Sequence, residues 1–212
     1  MTSDLAAVIR LAASDQGWSA LPPLVLVGHS LGGAVVVSLA SSMALGDKLL
    51  GYAVIDVVEG SAIDALTSMS TYLHSRPTSF PSLSHGIEWH TRSRTLRNPT
   101  SARISVPPLL VPAAGNADST TYTWRTDLAA TQPFWETWFT GLSARFLASA
   151  AGKLLLLAGT DRLDKELMIG QMQGKYQLLV LPEVGHFVHE DAPEKTAAAV
   201  SFFFLFFCSF TM

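Results

Sequence analysis

Ser30 stands between two glycines in Gly28-His29-Ser30-Leu31-Gly32-Gly33, directly behind the apolar run Leu24-Val25-Leu26-Val27. A serine hydroxyl attacks a carbonyl effectively only when the backbone presents it and a base takes its proton. A sharp strand-to-helix turn presents it, holding the serine above the end of a sheet in a strained conformation. So tight a turn presses together the residues two before and two after the serine, and Gly28 and Gly32 are expected to remove side chains that would clash. The Ala-, Val- and Leu-rich stretch from Leu31 to about Met43 predicts the helix that follows. Its N-terminus directs backbone N–H groups toward developing negative charge.

The base is expected in a loop behind a later strand. Val180-Leu181-Pro182-Glu183-Val184-Gly185-His186 reads as such a strand and loop, and Asp191-Ala192-Pro193 as the opening of a helix capped by Asp191. His186 is therefore the candidate base. His189 reads as a surface or capping histidine, and His29 as a structural one pointing to another face of the turn. Two carboxylates compete to orient the base. Asp161 lies in Gly159-Thr160-Asp161-Arg162 and Asp56 in Ile55-Asp56-Val57-Val58-Glu59-Gly60, each at the end of an apolar strand. Spacing does not decide between them, and either aspartate could instead serve a turn or a helix cap. His74, His85 and His90 are scattered without the spacing of metal ligands, so neither a metal nor a cofactor is expected.

The elements that must position these residues follow the alternation of one α/β domain. At 212 residues, 49% hydrophobic and 15% charged, the chain is long enough for one sizeable core. Strands are predicted at Leu24–Val27, Leu50–Val57, Lys153–Ala158 and Gln177–Leu181, each apolar enough to be buried on both faces of a parallel sheet. Between the second and third, residues 59–152 show helical periodicity rather than strands. Helices are expected from Ser61 to about His74, around Leu83 to Ser93, and from Thr131 to about Ala148, with a surface loop from Val106 to Thr121. Trp124, Phe134, Trp135, Trp138 and Phe139 fit either a core or a wall facing substrate.

Met1 to Trp18 reads as an amphipathic helix and lacks the basic-then-apolar order of a secretory signal. A net charge of -3 offers no basic footprint for nucleic acid. The single cysteine, Cys208, favours a reducing compartment, the cytosol or the nucleus. The charge-free run from Ser201 to Met212 is shorter than the roughly 20 apolar residues that span a membrane and lacks the pattern of a terminal amphipathic helix.

Several blocks together closely resemble the protein phosphatase methylesterases, which have the α/β-hydrolase fold. They are Leu26 to Gly33, Ile55 to Gly60, Tyr122-Thr123-Trp124-Arg125, Leu154 to Asp164, Ile169 to Lys175, and Gly185-His186 with His189 to Pro193. The resemblance runs from about Pro23 to Val200 and implies that residues 59–152 form a helical cap. It implies a catalytic triad of Ser30, Asp56 and His186, with the backbone N–H of Leu31 as oxyanion donor and Asp161 as a structural neighbour. It also implies an activity, hydrolysis of the methyl ester on the C-terminal leucine of the protein phosphatase 2A catalytic subunit. Docking on that phosphatase aligns the triad in the family, so small esters are expected to be poor substrates. Against the family pattern, residues 1–212 read as a single incomplete domain, the C-terminal part of the parallel sheet with its N-terminal strands missing. The second oxyanion donor belongs to a loop among those strands, and losing such a donor costs on the order of 10²–10³ in rate. The expectation is a recognisable triad with little esterase activity of its own. The alternatives are a non-catalytic phosphatase-binding fragment and a general small-molecule carboxylesterase.

Overall fold

Strands that are apolar on both sides are stable only in a sheet covered on both faces. The computed structural model, which describes residues 1–113, 120–159 and 163–208, places the four apolar runs in such a sheet. In chain order the first elements are α1 (Thr2–Asp15), β1 (Leu24–His29), α2 (Leu31–Ser41), β2 (Leu49–Ile55) and α3 (Glu59–Ser75). Next come β3 (Ser79–Phe80), α4 (Leu83–Arg92), α5 (Pro99–Ser105), β4 (Leu110–Pro112), β5 (Tyr122–Trp124), α6 (Trp135–Phe139) and α7 (Leu142–Ala148). β6 (Gly152–Leu157), α8 (Lys165–Met172), β7 (Gln177–Val180), α9 (Val188–Asp191) and α10 (Pro193–Cys208) complete the order.

β1, β2, β6 and β7 are all parallel and lie side by side in that order. Their carboxyl ends therefore share one rim, where open α/β sheets place their ligands. On one face, Val37 of α2 and Phe146 of α7 close over Tyr52, Val54, Leu155 and Leu157, and the Tyr52 hydroxyl donates to the Phe146 carbonyl at 2.9 Å. On the other face, Phe203 of α10 packs with Ala53, Ile55, Leu154 and Leu156. β1 is an edge strand, and its Val27 is 47% exposed.

Between β2 and β6 the first two expected helices appear as α3 and α4, joined by α5 and by a small antiparallel sheet, ordered β3-β5-β4, neither of which the sequence pattern announced. Strands of two or three residues are too short to display alternation. Their core is Phe80, Leu96, Ala102, Val106 and Leu110, and the Trp124 indole N–H donates to the Pro77 carbonyl at 2.8 Å. Strand β4 takes up part of the loop expected over Val106 to Thr121, whose residues 114–119 lie outside the described ones. The single helix expected from Thr131 to Ala148 is instead broken. Residues 129–134 form a 3-10 turn, and Gly141, at φ 73°, separates α6 from α7. The aromatic cluster divides accordingly, with Trp135 and Phe139 buried and Phe134 exposed.

The Phe-rich terminal stretch also differs from expectation, since α10 continues through it to Cys208. The alanines 197–199 carry the helix forward, and Phe203 anchors it with no exposed surface while Phe202 is 68% exposed. One buried ring in an otherwise apolar run leaves no amphipathic signature. Replacing Phe203 by Ala should therefore cost about 3–5 kcal/mol, whereas Phe202→Ala should stay within about 0.5 kcal/mol. Urea denaturation of the two variants measures the contrast, and equal losses would show that α10 does not seal the sheet.

Candidate active site

The backbone at Ser30 has φ 51° and ψ -123°, a conformation worth about 1–3 kcal/mol of strain in a residue with a side chain. Hydrogen bonds hold it there. The Ser30 N–H donates to the Ile55 carbonyl at 2.9 Å, and the Ser30 carbonyl accepts from Gly33 at 2.9 Å and Ala34 at 3.3 Å. Gly28 is obligatory, because a Cβ there would overlap the carbonyl of Gly32. Gly32 itself faces open space, contrary to expectation, and the second obligatory glycine is Gly33, whose Cβ would lie 2.9 Å from Val57 Cγ1. The turn is thus squeezed between its own first and fifth residues and against β2's extension, not on both sides of the serine alike. Leu31 opens α2, so its N–H belongs to the first turn, where donors have no partner within the helix.

The ladder that ends β1 at the serine ends β2 at Asp56, whose N–H donates to the Leu156 carbonyl at 2.8 Å. Asp56 also has positive φ, 51°, a conformation Asp adopts more readily than most residues. Its carboxylate has no exposed surface. Oδ1 accepts from the Ala158 N–H at 2.9 Å and Oδ2 lies 2.8 Å from His186 Nδ1. Because a carboxylate only accepts, Nδ1 carries the proton and Nε2 of the neutral ring holds the lone pair. Asp56 and His186 are brought together, and Asp161 lies outside the described residues. Glu59, from the same block, braces the end of β2 against the inserted segment. Its two oxygens accept from Gly141 N–H at 2.7 Å and Ser143 N–H at 3.0 Å, capping α7.

His186 sits in a loop fastened from the inserted segment. Asp191 Oδ2 accepts from Gly185 N–H and Oδ1 from Arg97 N–H, both at 2.7 Å. Asp191 is therefore a loop strut and not the expected helix cap. The Arg97 guanidinium donates to the Glu183 carbonyl. Ser101 and Ser105 of α5 donate to the Glu190 carbonyl and carboxylate at 2.7 and 2.6 Å. Nothing local in the sequence signals these contacts, since Arg97 and Asp191 are 94 residues apart. His189 is not the surface residue expected but half-buried against His29, with ring centroids 4.6 Å apart. Burial lowers the pKa of His189, and burial followed by repulsion from His186 lowers that of His29 to about 4.

A cleft of about 960 Å³ opens beside His186. Val184, Phe187 and His189, with Arg76, Trp124 and Arg125 of the inserted segment, are among its lining residues. Leu31 faces a separate groove with Phe134 and Trp138. Among the described residues no hydrogen bond joins the Ser30 hydroxyl to His186, no cluster of side chains could hold a metal ion, and no helix is long and apolar enough to cross a membrane.

Residues 2–199 match the model of the α/β hydrolase family. Protein phosphatase methylesterase 1 of Aspergillus oryzae is 63% identical over 205 residues, covering 96% of this chain and 48% of that protein. Its namesake in Yarrowia lipolytica is 53% identical over 199 residues, covering 94% and 46%. The chain thus spans about half the length of these curated relatives. Among solved structures, E-2-(acetamidomethylene)succinate hydrolase superposes with a TM-score of 0.73 at 20% identity, over 96% of this chain and 72% of that one. A Mycobacterium tuberculosis esterase gives 0.65 at 21%, over 94% and 66%. These two are likenesses of fold. The parallel sheet that lifts Ser30 over its rim is the fold these structures share, and the family model over residues 2–199 shows that the chain belongs to the α/β-hydrolase family.

Proposed function

We propose that this chain carries the catalytic residues of a serine carboxylesterase that removes the methyl ester from the C-terminal leucine of the protein phosphatase 2A catalytic subunit. The observation that carries this reading is the buried Asp56–His186 pair, 2.8 Å long, at the same sheet rim as the left-handed Ser30. Relatives named protein phosphatase methylesterase support the substrate. Ser30 Oγ attacks the ester carbonyl while His186 Nε2 takes its proton, and Asp56 steadies the imidazolium that forms. The Leu31 N–H donates to the tetrahedral oxyanion. His186 then returns the proton to the departing methoxide, which leaves as methanol. Water, activated by the same imidazole, cleaves the acyl-enzyme and restores Ser30. The open Ser30–His186 contact fits this scheme, because catalytic hydrogen bonds often tighten only when substrate binds.

The same reading takes residues 1–212 as one incomplete domain with residues 59–152 as its cap, and the cytoplasm or nucleus as its compartment. A second reading is a phosphatase-binding fragment without catalysis. Methanol release from methylated phosphatase catalytic subunit separates the two. Ser30→Ala should lower it by at least about 10⁴-fold and Asp56→Asn by about 10⁴-fold. Turnover that survives Ser30→Ala would remove the esterase reading. Capture of phosphatase 2A by a chain that a fluorophosphonate leaves unlabelled would establish the second.

Acid should weaken the fold through histidines held neutral. Burial lowers the pKa of His29 from 6.5 to about 4, and burial also lowers those of His90 and His189. Between pH 6.5 and about 4 the unfolded chain binds protons that the folded chain refuses, so stability falls as pH falls. Thermal melts at pH 7.5, 6.5 and 5.5 should show the midpoint dropping, with a shallower slope in His90→Gln. A midpoint independent of pH over that range would contradict the burial of these rings.

A further inference from the structure

We propose that His29 is a positioning residue, the strut that fixes the backbone of His186 relative to the turn carrying Ser30. The inference rests on the esterase reading for its catalytic consequence, but its geometry stands apart from it. His29 ends β1, one residue before Ser30, and its Nε2 lies 2.9 Å from the His186 carbonyl oxygen. A carbonyl only accepts, so Nε2 must carry the proton and the ring must be the Nε2–H tautomer. The ring also packs at 4.6 Å between centroids on His186 and on His189, and at 5.0 Å on Phe187. Burial keeps it neutral, with a pKa of about 4.

The other fastenings of this loop lead elsewhere. Asp191, Arg97, Ser101 and Ser105 tie residues 183–191 to one another and to the inserted segment. Asp56 ties the imidazole, at its Nδ1, to the end of β2. His29 supplies a second point, on the main chain, and that point belongs to the strand that presents the nucleophile. Because His29 adjoins Ser30 in the chain, its bond to the His186 carbonyl ties the main chain of the histidine loop to that of the serine turn. A misplacement of about 1 Å between reacting groups can cost about 10² in rate.

Two variants separate the donor from the ring. His29→Phe keeps the packing and removes the N–H, while His29→Gln returns an N–H near the same place. On methylated phosphatase catalytic subunit, His29→Phe should lower kcat by about 10²-fold with KM changed by less than about twofold, and His29→Gln should recover to within about tenfold of the unaltered chain. Equal kcat in His29→Phe and the unaltered chain, or equal losses in the two variants, would overturn the proposal. Two measurements on ¹⁵N-imidazole resonances need neither turnover nor substrate. At pH 7.5 His29 should be the Nε2–H tautomer, and the Nδ1–H resonance of His186 should broaden or shift in His29→Phe but not in His29→Gln. The Nδ1–H tautomer at His29, or an unmoved His186 resonance in His29→Phe, would overturn it. If the unaltered chain hydrolyses no ester, the esterase reading fails and these resonances still decide the strut.

Discussion

A carboxylate with no exposed surface is the constraint around which this site is arranged. Burying an ionised carboxyl is costly unless hydrogen bonds replace its water, and Asp56 obtains them from the Ala158 N–H and from His186 Nδ1. The first partner comes from just beyond β6 and the second from the loop beyond β7. The need to satisfy one charge therefore fixes the spatial relation of three chain segments. It also fixes the imidazole's tautomer, since an acceptor at Nδ1 leaves the lone pair at Nε2.

The sheet delivers these groups by extending its own hydrogen-bond ladder one residue past each strand. Ser30 N–H bonds Ile55, Asp56 N–H bonds Leu156, and Leu181 N–H bonds Leu157. Parallel register aligns the carboxyl ends, so Ser30, Asp56 and the start of the His186 loop emerge at one rim. Both Ser30 and Asp56 leave the ladder with positive φ. That strain is tolerated because the ladder below and the helix or loop above over-determine the backbone.

The histidine loop has two different anchors. From one side, the segment between β2 and β6 grips it through Arg97, Ser101 and Ser105. From the other, β2 and β1 hold it through Asp56 and His29. Glu59 links the anchors, since it follows β2 and caps α7 of the inserted segment. Movement of that segment would therefore reach His186 through covalent and hydrogen-bonded connections rather than across solvent.

Local chemistry in the sequence determined the strained turn at Ser30, the four strands of the main sheet and the loop that carries His186. Each depends on contacts within a few residues: glycine beside Ser30, apolar runs of strand length, Gly-His after a strand. The choice between Asp56 and Asp161 needed the family resemblance, because two aspartates at strand ends look alike until one of them meets an imidazole. Tertiary structure alone decided the rest. The small sheet β3-β5-β4 is built from strands too short to alternate, and α10 is helical through its phenylalanines because Phe203 found the sheet. Gly33 rather than Gly32 is the crowded glycine because Val57 approaches it from another strand's end. Asp191 and His29 took roles that no spacing could announce, since their partners lie up to 157 residues away along the chain and only folding brings a donor and an acceptor that far apart within 3 Å.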